Sequence, residues 1–257
     1  MDGQRKRINK DIFLELVYNG PDMSGKAIVF ANQKGGVGKT TTAANLGAYI
    51  AARGKKVLLI DFDPQGNLSS CVGAKDQKTG IYEVLMDKAP AKEAVKSTEI
   101  RNLDILPSNI NLTGASIELI DVEKREYYLK HHLEPLRDSY DFLFIDCPPS
   151  LGILTVNGLT AAEQVLIPLQ CEYFALEGLS LLLQTIQKIQ KTSNPGLRIG
   201  GILFTIYDSR TRLSNEVVQE VTSYFKDKVF RTIIPRNVRL SEAPSHGLPV
   251  MFYDPTC

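Results

Sequence analysis

Short runs of β-branched and aromatic residues recur along the chain, at Ala27–Asn32, Lys56–Asp61, Leu103–Leu106, Phe142–Asp146, Gln164–Leu169, Gly200–Ile206 and Val229–Ile234. Each has the length and composition of a strand, and segments of helical periodicity fill the intervals. Two of those intervals are well marked. Thr40–Arg53 predicts a helix closed by Gly54 at a C-cap position, and Leu176–Lys191 places Leu176, Leu179, Leu183, Ile186 and Ile189 on one face. Alternation of this kind predicts one α/β domain: a mostly parallel, twisted sheet of these seven strands with helices on both faces. Sheets of that class bind ligands beyond the carboxyl ends of their strands. Function is therefore expected at Gln33–Thr41, Phe62–Asn67, Cys147–Ser150 and the loop near Arg236.

Residues 1–25 share no periodicity with this pattern and are read as an N-terminal extension ahead of a domain spanning 26–257. Arg5, Lys6, Arg7 and Lys10 precede Ile12, Phe13, Leu14, Leu16 and Val17 in loose imitation of a signal peptide, but Asp11 and Glu15 interrupt the apolar stretch. No apolar run approaches the roughly 18 residues of a membrane span, so a cytoplasmic protein is expected. With 257 residues, 43% hydrophobic and 23% charged, the chain suits a single substantial core. A formal net charge of +1 excludes a general nucleic-acid coater and leaves room for a local basic face. Cys71, Cys147, Cys171 and Cys257 have neither CxxC nor metal-ligand spacing, which suits reduced thiols; His131, His132 and His246 form no catalytic pattern.

Chemistry concentrates after the first strand. Lys34-Gly35-Gly36-Val37-Gly38-Lys39-Thr40-Thr41 leaves a strand and opens a helix, the setting of a phosphate-binding loop. Glycines let backbone N–H groups turn toward phosphate oxygens, and the helix N-terminus adds partial positive charge. Lys39 is the expected partner of the β- and γ-phosphates of ATP, and the Thr40 hydroxyl of Mg²⁺, a hard cation that prefers oxygen. Gln33 stands where the ordinary loop has its first glycine, and Lys34 adds a second lysine. The second strand runs into Asp61-Phe62-Asp63-Pro64-Gln65-Gly66-Asn67, and the fourth into Asp146-Cys147-Pro148-Pro149-Ser150. A carboxylate beside a triphosphate is unfavourable unless Mg²⁺ or water intervenes, so these acids point to chemistry.

The KGGxGK[ST] loop, the DxDPQGN segment and the DxPPS segment, in this order, resemble the ParA/MinD family of deviant P-loop ATPases. Two further stretches are similar to its chromosomal ParA branch: Gln170-Cys171-Glu172-Tyr173-Phe174-Ala175-Leu176-Glu177-Gly178 and Ile234-Pro235-Arg236-Asn237-Val238-Arg239-Leu240-Ser241-Glu242-Ala243-Pro244-Ser245. The resemblance implies the P-loop NTPase fold, a slow ATP hydrolase, and an ATP-bound homodimer in which Lys34 reaches the partner's nucleotide, much as an arginine finger does. It further implies that Asp63 orients the attacking water, that Asp61 lies near the magnesium shell and Asp146 holds Mg²⁺, and that Pro235 and Asn237 border the adenine. Arg210 and Arg239 correspond to positions that contact DNA phosphates. Between Arg198 and Arg239, eight basic residues face four acidic ones, which suits non-specific binding of duplex DNA. The partner implied is a ParB-type centromere-binding protein, and the place is the nucleoid.

Alternatives on the same loop are a MinD-like membrane-associated regulator and an ATP-switched scaffold or regulator of replication initiation. The former ends in an amphipathic helix, whereas this sequence ends at Asp254-Pro255-Thr256-Cys257. Stable membrane association is not expected. ParA-type chains continue past this segment into a last helix, which is expected to be missing here.

Overall fold

A computed structural model describes residues 25–257. The extension predicted over 1–25 lies, Gly25 apart, outside the described residues. Eight strands form one sheet: β1 (Lys26–Phe30), β2 (Val57–Asp61), β3 (Lys96–Ser97), β4 (Leu103–Leu106), β5 (Phe142–Asp146), β6 (Gln164–Gln170), β7 (Arg198–Tyr207) and β8 (Val229–Pro235). Their order is β3-β4-β2-β5-β1-β6-β7-β8, parallel throughout except for the β3–β4 pair. Seven of the eight match the predicted runs. The eighth, β3, is two residues of Lys-Ser laid antiparallel on the edge, too short and too polar to show in a hydrophobic pattern.

Strand alternation divides the core between two faces. Ile28, Phe30, Leu59, Phe142 and Phe144 point to one side, where Ala43, Ala44, Ala48 and Ile50 of helix α1 (Lys39–Ala51) cover them. Small residues let α1 lie close to the sheet: a Cβ on Gly47 would stand 2.8 Å from the Leu59 side chain. Val29, Leu58, Ile60, Ile145, Val165 and Ile167 point to the other side, against α2 (Ile153–Ala161), α3 (Ala175–Lys191) and α4 (Arg212–Phe225). Helix α1 ends two residues before the predicted Arg53. Its close is nevertheless made at Gly54, whose N–H reaches the Ala51 carbonyl at φ +87°, a conformation that favours glycine.

Because β1, β2, β5, β6, β7 and β8 run the same way, their carboxyl ends and the following loops gather along one edge. The same geometry separates the basic residues. Arg198 begins β7 and Lys226, Lys228 and Arg231 flank the start of β8, whereas Arg210, Arg212, Arg236 and Arg239 follow the strand ends. The basic excess of the sequence is therefore shared between opposite edges of the sheet. Among the described residues no helix is long and apolar enough to cross a membrane.

Candidate nucleotide-binding site

The loop between β1 and α1 turns through Gly36 and Gly38, at φ +72° and +83°. Space above Gly36 is open, with nothing within 4 Å of where a Cβ would sit. Two buried bonds fix the loop from below. Thr205 Oγ1 on β7 donates to the Val37 carbonyl at 2.8 Å, and Asn32 Nδ2 donates to the Pro168 carbonyl on β6 at 2.7 Å. Above the loop lies a cleft of about 680 Å³ lined by Gly35, Gly36, Gly38, Lys39, Thr40 and Thr41 on one side and by Pro235, Asn237, Leu240 and Pro244 on the other, with Asp63 also in its wall. Sequence-predicted phosphate and adenine residues thus share one cavity, at the strand ends where the topology places it.

The floor is acidic. Asp61 and Asp146 are paired neighbours at the ends of β2 and β5, both fully buried. Asp146 Oδ2 accepts the Thr40 hydroxyl at 2.6 Å, while its Oδ1 is buried without any hydrogen-bond partner. Burial, reinforced by Asp61, pushes the Asp146 carboxyl well above the ordinary aspartate range. Asp61 is differently placed. Its Oδ2 accepts both the backbone N–H and the hydroxyl of Ser69 at 2.7 Å, its Oδ1 takes the Asp63 N–H at 3.3 Å, and burial raises its pKa to about 6. Lys39 is held nearby, its Nζ donating to the Lys34 carbonyl at 3.1 Å; burial lowers its pKa against the opposing pull of Asp146.

An oxygen left unpaired inside a protein is costly unless something else meets it. Asp146 Oδ1, beside the Thr40 hydroxyl, is an oxygen-only donor set of the kind Mg²⁺ takes, and the open glycine loop next to it suits a phosphate chain. Residues and cofactor fit. Asp63 keeps its Oδ1 on the Gln65 N–H at 3.0 Å and stands in the cleft wall.

Three predicted residues lie away from the cleft. Lys34 turns outward, where its ammonium pairs with Glu172 on the turn between β6 and α3. Arg210 is bound to Asp208 at 2.7 Å, and Arg239 to Glu242 at 2.8 Å and to Asp254 at 3.2 Å. Both arginines are largely open to solvent. Asn237 spends its Oδ1 on the Arg239 N–H at 2.8 Å, capping the short helix Val238–Glu242, and its Nδ2 on Cys257 Sγ at 3.0 Å. Sequence reasoning missed Ser69 and Thr205, whose contacts span 8 and 168 residues and leave no local pattern.

Comparison with known proteins agrees with this geometry. A family model described as an AAA domain matches residues 25–199. The chromosome-partitioning ATPase Soj of Treponema pallidum is 61% identical over 233 residues, covering 91% of this chain and 92% of that one. The sporulation initiation inhibitor protein Soj of Bacillus subtilis is 54% identical, covering 90% and 92%. Among solved structures, cobyrinic acid a,c-diamide synthase of Mycobacterium smegmatis with bound ADP and magnesium superposes with a TM-score of 0.78 at 42% identity, over 86% of this chain and 91% of that one.

Proposed function

The chain belongs to the ParA/Soj family of chromosome-partitioning ATPases, and on that premise we propose that it works as a switch: two ATP-loaded copies pair, hold duplex DNA without reading its sequence, and release it on hydrolysis. ATP hydrolysis and a role in partitioning come with the family. The pairing, the DNA and the ParB-type stimulator are this proposal. Nucleotide loading is supported by the buried Asp146 Oδ1, which has no hydrogen-bond partner and which a Mg²⁺–nucleotide would answer; pairing and DNA contact are supported by the solvent-accessible Lys34, Arg210 and Arg239.

When bound, Mg²⁺ draws charge from the phosphate oxygens and so favours transfer of the terminal phosphoryl group to water. Thr40 and Asp146 are the residues that would hold it. The loop's N–H groups and Lys39 bind and orient the phosphate chain, while Pro235 and Asn237 border the base. Asp63 accepts a hydrogen bond from the attacking water and fixes its approach. Lys34 of each copy supplies positive charge to the partner's nucleotide. Asp61, its Oδ2 held by Ser69 and its Oδ1 by the Asp63 N–H, contributes negative potential next to the metal position. Left alone, switch-type enzymes of this chemistry turn over at roughly 10⁻⁴ to 10⁻² s⁻¹, so the paired state persists until a stimulator arrives.

Pairing brings two sets of Arg210 and Arg239 onto one duplex. Each phosphate neutralised adds about 0.9 to the logarithmic salt dependence of binding, so doubling the contacts strengthens binding steeply. The test is retention on duplex DNA of arbitrary sequence. Retention is expected to need ATP, to fall steeply with salt and to be lost in Arg239→Glu with its fold checked by circular dichroism. Equal retention of nucleotide-free and ATP-bound protein rejects the proposal. Anionic liposomes serve as the control, and ATP-dependent binding to them in place of DNA assigns the chain to a membrane role.

A further inference from the structure

Lys34, assigned above to a partner's nucleotide, is occupied in the single chain. Its ammonium pairs with Glu172 Oε2, and the second carboxylate oxygen, Oε1, accepts the Gln170 side-chain amide. Both oxygens of Glu172 are therefore directed, one by each neighbour. The main chains on either side are also tied together. Lys34 N–H donates to Asn32 Oδ1 at 3.0 Å, and buried Asn32 in turn donates through Nδ2 to the Pro168 carbonyl at 2.7 Å. Since β1 and β6 are hydrogen-bonded neighbours, the root of the phosphate loop and the end of β6 are held in fixed register, and Glu172 meets Lys34 without reorganisation of either strand.

We infer that Glu172 is a positioning residue that latches Lys34 in cis, keeping this cation from the intersubunit position until a nucleotide-bearing partner competes for it. The inference rests on the paired-switch reading above, because a latch on Lys34 matters only if Lys34 acts across an interface. Side-chain exposures of 36% for Lys34 and 46% for Glu172 decide the strength of the latch. A half-solvated pair of one ammonium and one carboxylate is weak, and a polyphosphate of several negative charges outcompetes it. A buried pair would have locked the lysine; this one delays it. Two such latches open when one dimer forms, so their cost enters the dimer equilibrium twice.

Exposed pairs of this kind change an equilibrium by about 1.5- to 5-fold each, so releasing both is expected to tighten dimerisation by about 2- to 30-fold. Sedimentation velocity with a non-hydrolysable ATP analogue measures this for wild type, Glu172→Gln, Lys34→Ala and the double variant. Glu172→Gln, nearly isosteric and half-exposed, should dimerise more tightly than wild type and should change nothing further once Lys34 is alanine. Weaker or unchanged dimerisation of Glu172→Gln overturns the latch. A second readout needs no dimer. In nucleotide-free protein with isotope-labelled lysine, the Lys34 side-chain resonance, assigned through Lys34→Arg, should move in Glu172→Gln; an unmoved resonance overturns the latch as well. If wild type fails to dimerise with the analogue, the paired-switch reading falls, and the resonance still decides whether the pair exists.

Discussion

Replacing Asp61 with asparagine should stabilise the nucleotide-free protein at neutral pH. An ordinary aspartate titrates near 3.8, whereas complete burial raises Asp61 to about 6 despite the bonds from Ser69 and Asp63. The sign follows from proton binding. Between these two values the folded protein keeps a proton that the unfolded chain has released, so stability falls as pH rises through the window and levels off above it. The gap corresponds to about 3 kcal/mol at pH 7.5 and only about 1 kcal/mol at pH 4.5, where the unfolded side chain is mostly ionised but little of the window up to about 6 has been crossed. Asparagine removes this burden. It still offers an oxygen to Ser69 and loses only the 3.3 Å bond from the Asp63 N–H, worth about 1 kcal/mol. A net gain of about 2 kcal/mol is expected at pH 7.5, vanishing toward pH 4.5. Urea unfolding of both proteins in EDTA, without nucleotide, across that range measures it. A difference that stays flat with pH, or an Asp61→Asn variant less stable than wild type at pH 7.5, refutes the account of a buried charge.

Asp63→Ala should bind nucleotide and remain paired on DNA while phosphate release in a coupled assay becomes undetectable; a hydrolysing variant removes Asp63 from the water's position. Gly158→Ala should lower stability by about 1–3 kcal/mol, because the new Cβ would stand 2.6 Å from Cys147 Sγ and 3.2 Å from the Val29 side chain. Thermal melts check it, and Cys147→Ala in the same chain should restore most of the loss. Of the four thiols only Cys257 is exposed, while burial raises Cys71 to about 12 and Cys171 to about 11 and lifts Cys147 further. Brief alkylation of the native protein at pH 8 should therefore add one label by mass spectrometry, and four after denaturation.

Seven strands and the helices α1 and α3 were legible because each is a local pattern: an apolar run, a stripe, a glycine at positive φ. The phosphate loop was legible for the same reason, since strand, glycines, lysine and threonines are contiguous and the phosphate would be bound by adjacent backbone groups. What escaped were contacts between segments that only the sheet order brings together. Thr205 on Val37 and Glu172 on Lys34 each join distant segments, and Ser69 meets Asp61 only because the chain turns back on the end of β2; nothing in the spacing of their residues announces the pairing. Charge was misleading for a related reason. Eight basic residues counted along one stretch imply one patch, but a strand carries its two ends to opposite edges, and β7 and β8 do so here.

That division bears on how, in the proposed switch, a nearly neutral chain would grip a polyanion. On the ligand-bearing edge, Arg210 is bound to Asp208, Arg212 to Glu216, and Arg239 to Glu242 and Asp254, so three of the four arginines there already have a carboxylate at their side. Such a surface offers little net field to DNA from one copy, since the neighbouring acids screen it at distances shorter than the roughly 8–10 Å over which salt itself screens. Two copies held in one orientation, as proposed, would change the arithmetic without changing a residue: the guanidinium groups would meet successive phosphates together, and counterion release grows with the number of contacts made at once. Weak, locally neutralised arginines are then suited to a switch, because strongly cationic ones would hold DNA whether or not a nucleotide were bound. Relieving one pair, as in Asp208→Asn, should accordingly raise DNA retention of the nucleotide-free protein and narrow the difference that ATP makes. Filter binding across a salt series measures both, and an unchanged ratio between the two states would show that pairing of these arginines plays no part in the switch.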